Sequence, residues 1–181
     1  MSETAAPFDL LQQLAERVHT DALPLPERAQ ADDSWRALAC ELGQSALLVA
    51  MESVAEVTHP PATTRLPGVK PWVRGIANVQ GEILAVVDLH RFFALPDAPN
   101  PRTVRMLVIT QGEVRMGLLV DRVLGIRQVA THQVRDQTTE SGAAALAPCL
   151  AGAALVENTW TDIFDPARLI ASPAFNQVTR H

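Results

Sequence analysis

The sequence predicts an all-β domain of the small-barrel or sandwich type, and three observations support this class. From Trp35 onward, short apolar stretches are interrupted about every eight to twelve residues by Gly, Pro, Asn or Asp. Several of these breaks are glycine turns flanked by β-branched residues, which is typical of hairpins. The chain is 48% hydrophobic and only 19% charged, a composition that can fold around an apolar core.

The first 33 residues differ from the rest of the chain. Phe8, Leu11, Leu14 and Val18 recur at helical spacing and predict a short amphipathic helix. The stretch that follows contains two prolines and several acids without a period, which is typical of a flexible linker. We therefore expect a helix and linker over residues 1–33 and the domain proper over residues 34–176. The helix could fold back on the domain or dock onto a partner.

The apolar stretches predict nine strands. They are Trp35–Leu42, Ala46–Met51, Val54–His59, Val73–Gln80, Glu82–Asp88, Val104–Thr110, Val114–Asp121, Val123–Val129 and Trp160–Ile163. Gly81 and Gly112 favour hairpin turns, whereas the four prolines between residues 59 and 71 predict a crossing loop. Asp165 and Pro166 resemble the N-cap and first residue of a short closing helix. The sequence shows no internal repeat of fixed period.

Charge and motif content exclude several classes of function. The net charge of −5 and the pI near 5.5 disfavour a nucleic-acid partner, and no apolar stretch is long enough to predict membrane insertion. The two cysteines are distant in sequence, and we expect buried free thiols. Asp88 and His90 are the one pair at metal-ligand spacing, which is too few for a zinc site. No catalytic, cofactor-binding or metal site is therefore predicted.

Three segments resemble the CheW family of chemotaxis coupling proteins. The central one is VRGIANVQGEILAVVDL over residues 73–89, the second is MGLLVDRVLGI over residues 116–126, and the third is VAEV at residues 54–57 before the proline-rich loop. Their order and spacing agree with the family from about Trp35 to Ser172. Two departures are Gln80, where the family usually has arginine, and Ala85, where it usually has proline.

The resemblance implies two intertwined five-stranded SH3-like barrels with a short C-terminal helix. It also implies a non-enzymatic adaptor that joins the regulatory domain of a CheA-like histidine kinase to the cytoplasmic tip of a methyl-accepting receptor. The acidic N-terminal extension, the proline-rich loop and the Trp160-Thr161-Asp162-Ile163 ending are more similar to the branch associated with type IV pili and twitching motility than to the flagellar branch. Such a protein would be cytoplasmic and recruited to receptor arrays. The alternative from the residues alone is a small barrel that binds a ligand or an oligonucleotide.

By the same resemblance, receptor contacts are expected in a groove between the barrels. They involve Val54, Glu56, Val57, Gly75, Asn78 and Gln80, while the kinase is expected at a barrel end. Each position has a structural alternative. Strict strand alternation would place Val57 with Ala55 on a face that could be core, and Val54 with Glu56 on the wetter face. Gly75 could be required by the conformation of the backbone rather than by a partner, and Asn78 could stabilise a turn.

Overall fold

The described residues form two mixed β-sheets and several short helices. The computed structural model describes residues 33–96, 99–139 and 144–179, so the helix and linker predicted before residue 33 lie outside the described residues. The strands are β1 (Ser34–Leu42), β2 (Ser45–Ala50), β3 (Val54–Thr58), β4 (Val73–Val79), β5 (Glu82–Asp88), β6 (Arg105–Gln111), β7 (Val114–Val120), β8 (Arg122–Ala130), β9 (Val134–Arg135), β10 (Leu150–Val156) and β11 (Thr159–Phe164). The α-helices are α1 (Leu89–Phe92), α2 (Pro166–Ala171) and α3 (Pro173–Asn176).

The two sheets are built from different parts of the chain. The first sheet has the order β8-β1-β2-β11-β10-β9, and the second has the order β3-β6-β7-β5-β4. The middle of the chain therefore forms the second sheet, while strands from both sides of it form the first. This confirms the expected pair of intertwined SH3-like barrels. We call the barrel formed by the first sheet barrel A and the barrel formed by the second sheet barrel B. Barrel A has a sixth strand, the two-residue β9.

The two barrels repeat one connectivity, although the sequence shows no repeat of fixed period. Each sheet has a single parallel pair, β5 with β7 in barrel B and β11 with β2 in barrel A. The hairpins β4–β5 and β10–β11 correspond residue by residue, with a register shift before Gly75 and Gly152. An aspartate caps the helix after each hairpin, Asp88 for α1 and Asp165 for α2. The repeat is one of backbone geometry, which different side chains can satisfy.

Among the described residues, apolar side chains form three clusters, one between the sheets and one within each barrel. The largest joins strands of both sheets and includes Leu47, Leu107, Leu118 and Leu169. A second cluster fills barrel B around Met106 and Val108, and a third fills barrel A. Because the largest core is shared, we expect the two barrels to unfold together.

The nine predicted strands are confirmed to within one or two residues at their ends, but two strands were missed. The prediction lacks β10, whose sequence LAGAALV is small and apolar without alternation. Such a strand shows no period-two pattern because both of its faces are covered. It also lacks β9, which is too short to carry a pattern. The helix at Pro166 is confirmed, since the Asp165 carboxylate accepts a hydrogen bond from the Ala167 amide at 2.8 Å.

Candidate functional site

Two of the predicted site residues meet across the seam of barrel B. Strands β3 and β4 are the opposite edges of this sheet, yet the Gln80 Nε2 atom donates a hydrogen bond to the Glu56 Oε2 atom at 2.9 Å. The sheet is therefore curled until its edges approach, and one side-chain bond spans them. Glu56 is half-buried and Gln80 is exposed, so both side chains remain within reach of a partner.

Gln80 occupies a turn that strains an ordinary residue. It precedes Gly81 in the two-residue turn between Val79 and Glu82, and both central residues have positive φ, 52° and 90°. Positive φ at both positions defines a type I′ hairpin, which suits the twist of adjacent strands. The Asn78 side-chain oxygen accepts a hydrogen bond from the Gly81 amide at 2.9 Å. Asn78 thus stabilises the turn, as the structural alternative from the sequence proposed.

Gly75 allows the proline-rich loop to close over β4. Its φ is +134°, and a Cβ atom there would lie 2.1 Å from the Thr64 carbonyl oxygen. Thr64 bridges Ile76 through two backbone hydrogen bonds of 2.8 and 2.9 Å. A side chain at position 75 would break this bridge, so the glycine is explained by backbone geometry.

The alternation expected for β3 is wrong. The pairing of β3 with β6 shifts register between Val54 and Glu56, which leaves Ala55 as the extra residue of a bulge. Val54 and Val57 therefore share one face, not opposite ones. Val54 is 8% exposed and belongs to the core between the sheets, whereas Val57 is 39% exposed at the sheet edge. The wetter of the two valines is Val57, the reverse of the expectation.

A cluster of titratable side chains that the sequence spacing did not predict lies where the chain passes from barrel B into barrel A. His90 on α1 is 7% exposed, and its Nε2 atom is 3.9 Å from the Asp121 Oδ2 atom without a hydrogen-bond partner. The same carboxylate accepts the Gly43 amide at 2.6 Å. Asp121 therefore ties the β7–β8 corner to the β1–β2 turn. His90 and Asp121 line a cleft of about 480 Å³, and Asp88 lines it as well.

The electrostatics of Asp121 follow from this position. Burial raises the pKa of its carboxyl, and the Gly43 hydrogen bond and His90 only partly offset that effect. The neighbouring Arg122 does not pair with Asp121; its guanidinium lies 2.8 Å from the Glu41 carboxylate instead. Both residues therefore hold the β1–β2 hairpin in place. Asp121 binds the Gly43 amide in the turn from the inside, and Arg122 binds Glu41 at the surface.

Both cysteines of the chain and many of its possible metal ligands lie among the described residues. Burial raises the pKa of the Cys40 thiol to about 12 and that of the Cys149 thiol to about 11, so neither forms a thiolate nucleophile near neutral pH. Both thiols are free and buried, as expected. Over residues 33–96, 99–139 and 144–179, no three His, Cys, Asp or Glu side chains are grouped to hold a metal ion. The helices in this part of the chain are too short and polar to span a membrane.

Barrel B also exposes an apolar patch on its neighbouring strands β5 and β7. Ile83 is 71% exposed and Val114 is 40% exposed. Strands β5 and β7 pair in parallel with Ala85 opposite Met116, and the same register extended by two residues brings Ile83 next to Val114. The ion pair between Glu82 and Arg115 flanks them. We call Ile83, Ala85 and Val114 the apolar patch. Contiguous exposed apolar side chains of this kind are typical of protein–protein contact.

Comparison with known proteins places these features in a family. A family model described as the CheW-like domain matches residues 36–174. Protein PilI of Pseudomonas aeruginosa is 34% identical over 98% of this chain and 99% of its own length. Protein FrzA of Myxococcus xanthus is 33% identical over 60% of this chain and 70% of its own.

The fold agrees with these matches. The crystal structure of the scaffolding protein TtCheW from Thermoanaerobacter tengcongensis superimposes with a TM-score of 0.68 at 18% identity, covering 77% of this chain and 94% of that one. Both the sequence motifs and the paired barrels thus point to the same family. The chain belongs to the CheW-like domain family of chemotaxis adaptor and scaffold proteins.

Proposed function

We propose that this chain is a non-catalytic adaptor that joins the regulatory domain of a CheA-like histidine kinase to the cytoplasmic tip of a methyl-accepting receptor. The observation that carries the proposal is the 34% identity to PilI across nearly the whole of both chains. That match includes the N-terminal extension, whereas the chemotaxis protein CheW of Thermotoga maritima matches over 106 residues. We therefore assign the adaptor to a system that controls type IV pilus motility, at receptor arrays on the cytoplasmic side of the membrane.

The receptor surface in this proposal is the seam of barrel B. Glu56, Val57 and Gln80 present accessible side chains along it. Val54, Gly75 and Asn78 act through the fold, because one is a core residue and the other two shape the loop and turn beside the seam. An apolar contact at Val57 would contribute affinity, and the charge of Glu56 would select the partner.

The kinase surface in this proposal is the apolar patch. Ile83 shares the β4–β5 hairpin with Gln80, so the receptor is placed on the β3 side of the seam, at Glu56 and Val57. Strands β6 and β7 separate β3 from β5 in the sheet, so receptor and kinase could be held at the same time. Burial of Ile83 and its neighbours would supply the apolar centre of an interface, with the Glu82–Arg115 pair at its rim. A kinase regulatory domain built from similar barrels would present a complementary apolar surface at one barrel end.

Paired binding assays test the proposal. Val57→Asp should weaken binding of a receptor cytoplasmic fragment and spare binding of a kinase regulatory fragment, and Ile83→Asp should do the opposite. Both positions are exposed, so neither variant should unfold the domain. Val134→Asp, at a 36% exposed valine of barrel A, is the matched control and should alter neither interaction. Wild-type chain that captures neither fragment would refute the adaptor assignment.

A further inference from the structure

A basic cleft lies beside the proline-rich loop of a chain that is acidic overall. Four cationic side chains line this cleft of about 260 Å³: Arg65, Lys70, Arg74 and Arg91. Lys70 is the only lysine of the chain, whose net charge is −5. The remaining lining comes from the loop segment at Leu66, Gly68, Val69 and Pro71 and from Val73. No carboxylate is among the lining residues.

The charge of the basic cleft is mostly unneutralised. Asp88 pairs with Arg74 at 3.7 Å and with Arg91 at 3.4 Å, so one carboxylate serves two guanidinium groups. In the part of the chain that the structure describes, Arg65 and Lys70 form no ion pair. Four positive charges thus face one negative charge that lies outside the lining. A cleft with this excess attracts anionic groups and accelerates their approach.

The loop that carries two of these cations is held in place before any partner binds. Thr64 bridges Ile76 by two backbone hydrogen bonds, and the Lys70 amide donates to the Val178 carbonyl oxygen at 2.9 Å. The Val73 amide donates to the Lys70 carbonyl oxygen at 3.0 Å. An ordered backbone lowers the entropy cost of forming ion pairs with a ligand.

A second cleft continues from the first and has a different character. Arg74 and Arg91 line both, and the second cleft measures about 480 Å³. Its lining includes the apolar side chains of Leu95, Val104 and Leu119 and the carboxylates of Asp88 and Asp121. Because its two carboxylates balance its two guanidinium groups, the second cleft has no excess positive charge and suits an apolar side chain better than a second anion.

We propose that the basic cleft docks a partner-protein segment in which acidic side chains are followed directly by apolar ones. The acids would pair with Arg65 and Lys70, and the apolar side chains would enter the adjoining cleft past Arg74 and Arg91. A protein segment fits better than a nucleic acid, because the lining of the basic cleft has no aromatic side chain to stack on bases. The inference stands apart from the receptor and kinase surfaces, which use other residues of barrel B.

Peptide binding to the full chain tests this inference. The probe is a fluorescent peptide of three glutamates followed by two leucines, and the control peptide has glutamines in place of the glutamates. We expect the glutamate peptide to bind about tenfold more tightly and to weaken as salt is added. The double variant Arg65→Gln/Lys70→Gln should bind the glutamate peptide about tenfold more weakly, because two solvent-exposed ion pairs with the peptide are removed.

The control variant combines Arg36→Gln with Arg102→Gln, two exposed arginines outside both clefts, and should bind within about twofold of wild type. Equal binding of the two peptides, or an equal loss in both double variants, would overturn the inference. Tight binding of single-stranded DNA or full displacement of the peptide by inorganic phosphate would also overturn it, in favour of a general anion site. Retained capture of a kinase fragment by the Arg65/Lys70 variant separates this outcome from failure of the adaptor assignment.

Discussion

Replacement of Gly75 by alanine tests how the proline-rich loop closes over barrel B. The new Cβ atom would lie 2.1 Å from the Thr64 carbonyl oxygen and 2.7 Å from its carbon. These are backbone atoms, so they cannot rotate away as a side chain would. The loop must move, and the two hydrogen bonds between Thr64 and Ile76 are lost.

The magnitude follows from two terms. A non-glycine residue at positive φ costs about 1–3 kcal/mol, and each lost backbone hydrogen bond costs about 1 kcal/mol. The free energy of unfolding of Gly75→Ala should therefore fall by about 3–5 kcal/mol. For a domain of this size, each kcal/mol lowers Tm by roughly 2–4 °C, so the total decrease is roughly 6–20 °C.

Two other glycines provide the comparison. Gly81→Ala introduces the same kind of strain at φ +90°, but nothing lies within 4 Å of the new Cβ atom. Its cost should remain near 1–2 kcal/mol. Gly152, the counterpart of Gly75 in barrel A, would place a Cβ atom 2.2 Å from the Arg135 carbonyl oxygen. Gly152→Ala should therefore destabilise the protein about as much as Gly75→Ala.

Guanidinium denaturation of the three variants measures these differences directly. Hydrogen exchange at the Ile76 amide adds a local readout, because this amide donates to Thr64 and should lose protection in Gly75→Ala alone. If Gly75→Ala and Gly81→Ala lose the same free energy, the contact with Thr64 contributes nothing and the explanation for Gly75 is wrong.

Three further predictions concern single side chains. Asp121→Asn keeps an oxygen for the Gly43 amide but cannot ionise. Because burial raises the folded-state pKa of Asp121 above its ordinary value, this carboxyl contributes stability at acid pH that is lost as the pH rises through the folded pKa. Urea unfolding should therefore show that Asp121→Asn gains stability relative to wild type from acid to neutral pH, and parallel profiles would contradict this. Cys40, whose thiol pKa is raised to about 12, should resist iodoacetamide in the native chain at neutral pH and react only after unfolding, as mass spectrometry would show. Gln80→Arg should replace the hydrogen bond from the Gln80 amide to the Glu56 carboxylate by an exposed ion pair and raise the free energy of unfolding by about 0–1 kcal/mol, a gain that added salt should remove.

Short-range chemistry in the sequence was enough to predict nine of the eleven described strands and the turns between them. The Gly81 and Gly112 turns and the Asp165–Pro166 helix start depend on residues within one turn of each other, and all three are confirmed. Alternation failed at Ala55, because a bulge changes the face of every later residue in the strand. Nothing in the letters of β3 marks that extra residue, since the bulge is set by pairing with β6.

The sequence by itself determined the all-β class, the family and the local turns, because these depend on residue type and near neighbours. Only the tertiary structure decided that Gln80 bonds to Glu56 across the barrel seam and that Thr64 packs on Gly75. It also decided that Asp121 faces His90 and that four scattered cations line one cleft. These contacts join segments from different parts of the chain, and their geometry arises from the curl of the sheets, which no local pattern encodes.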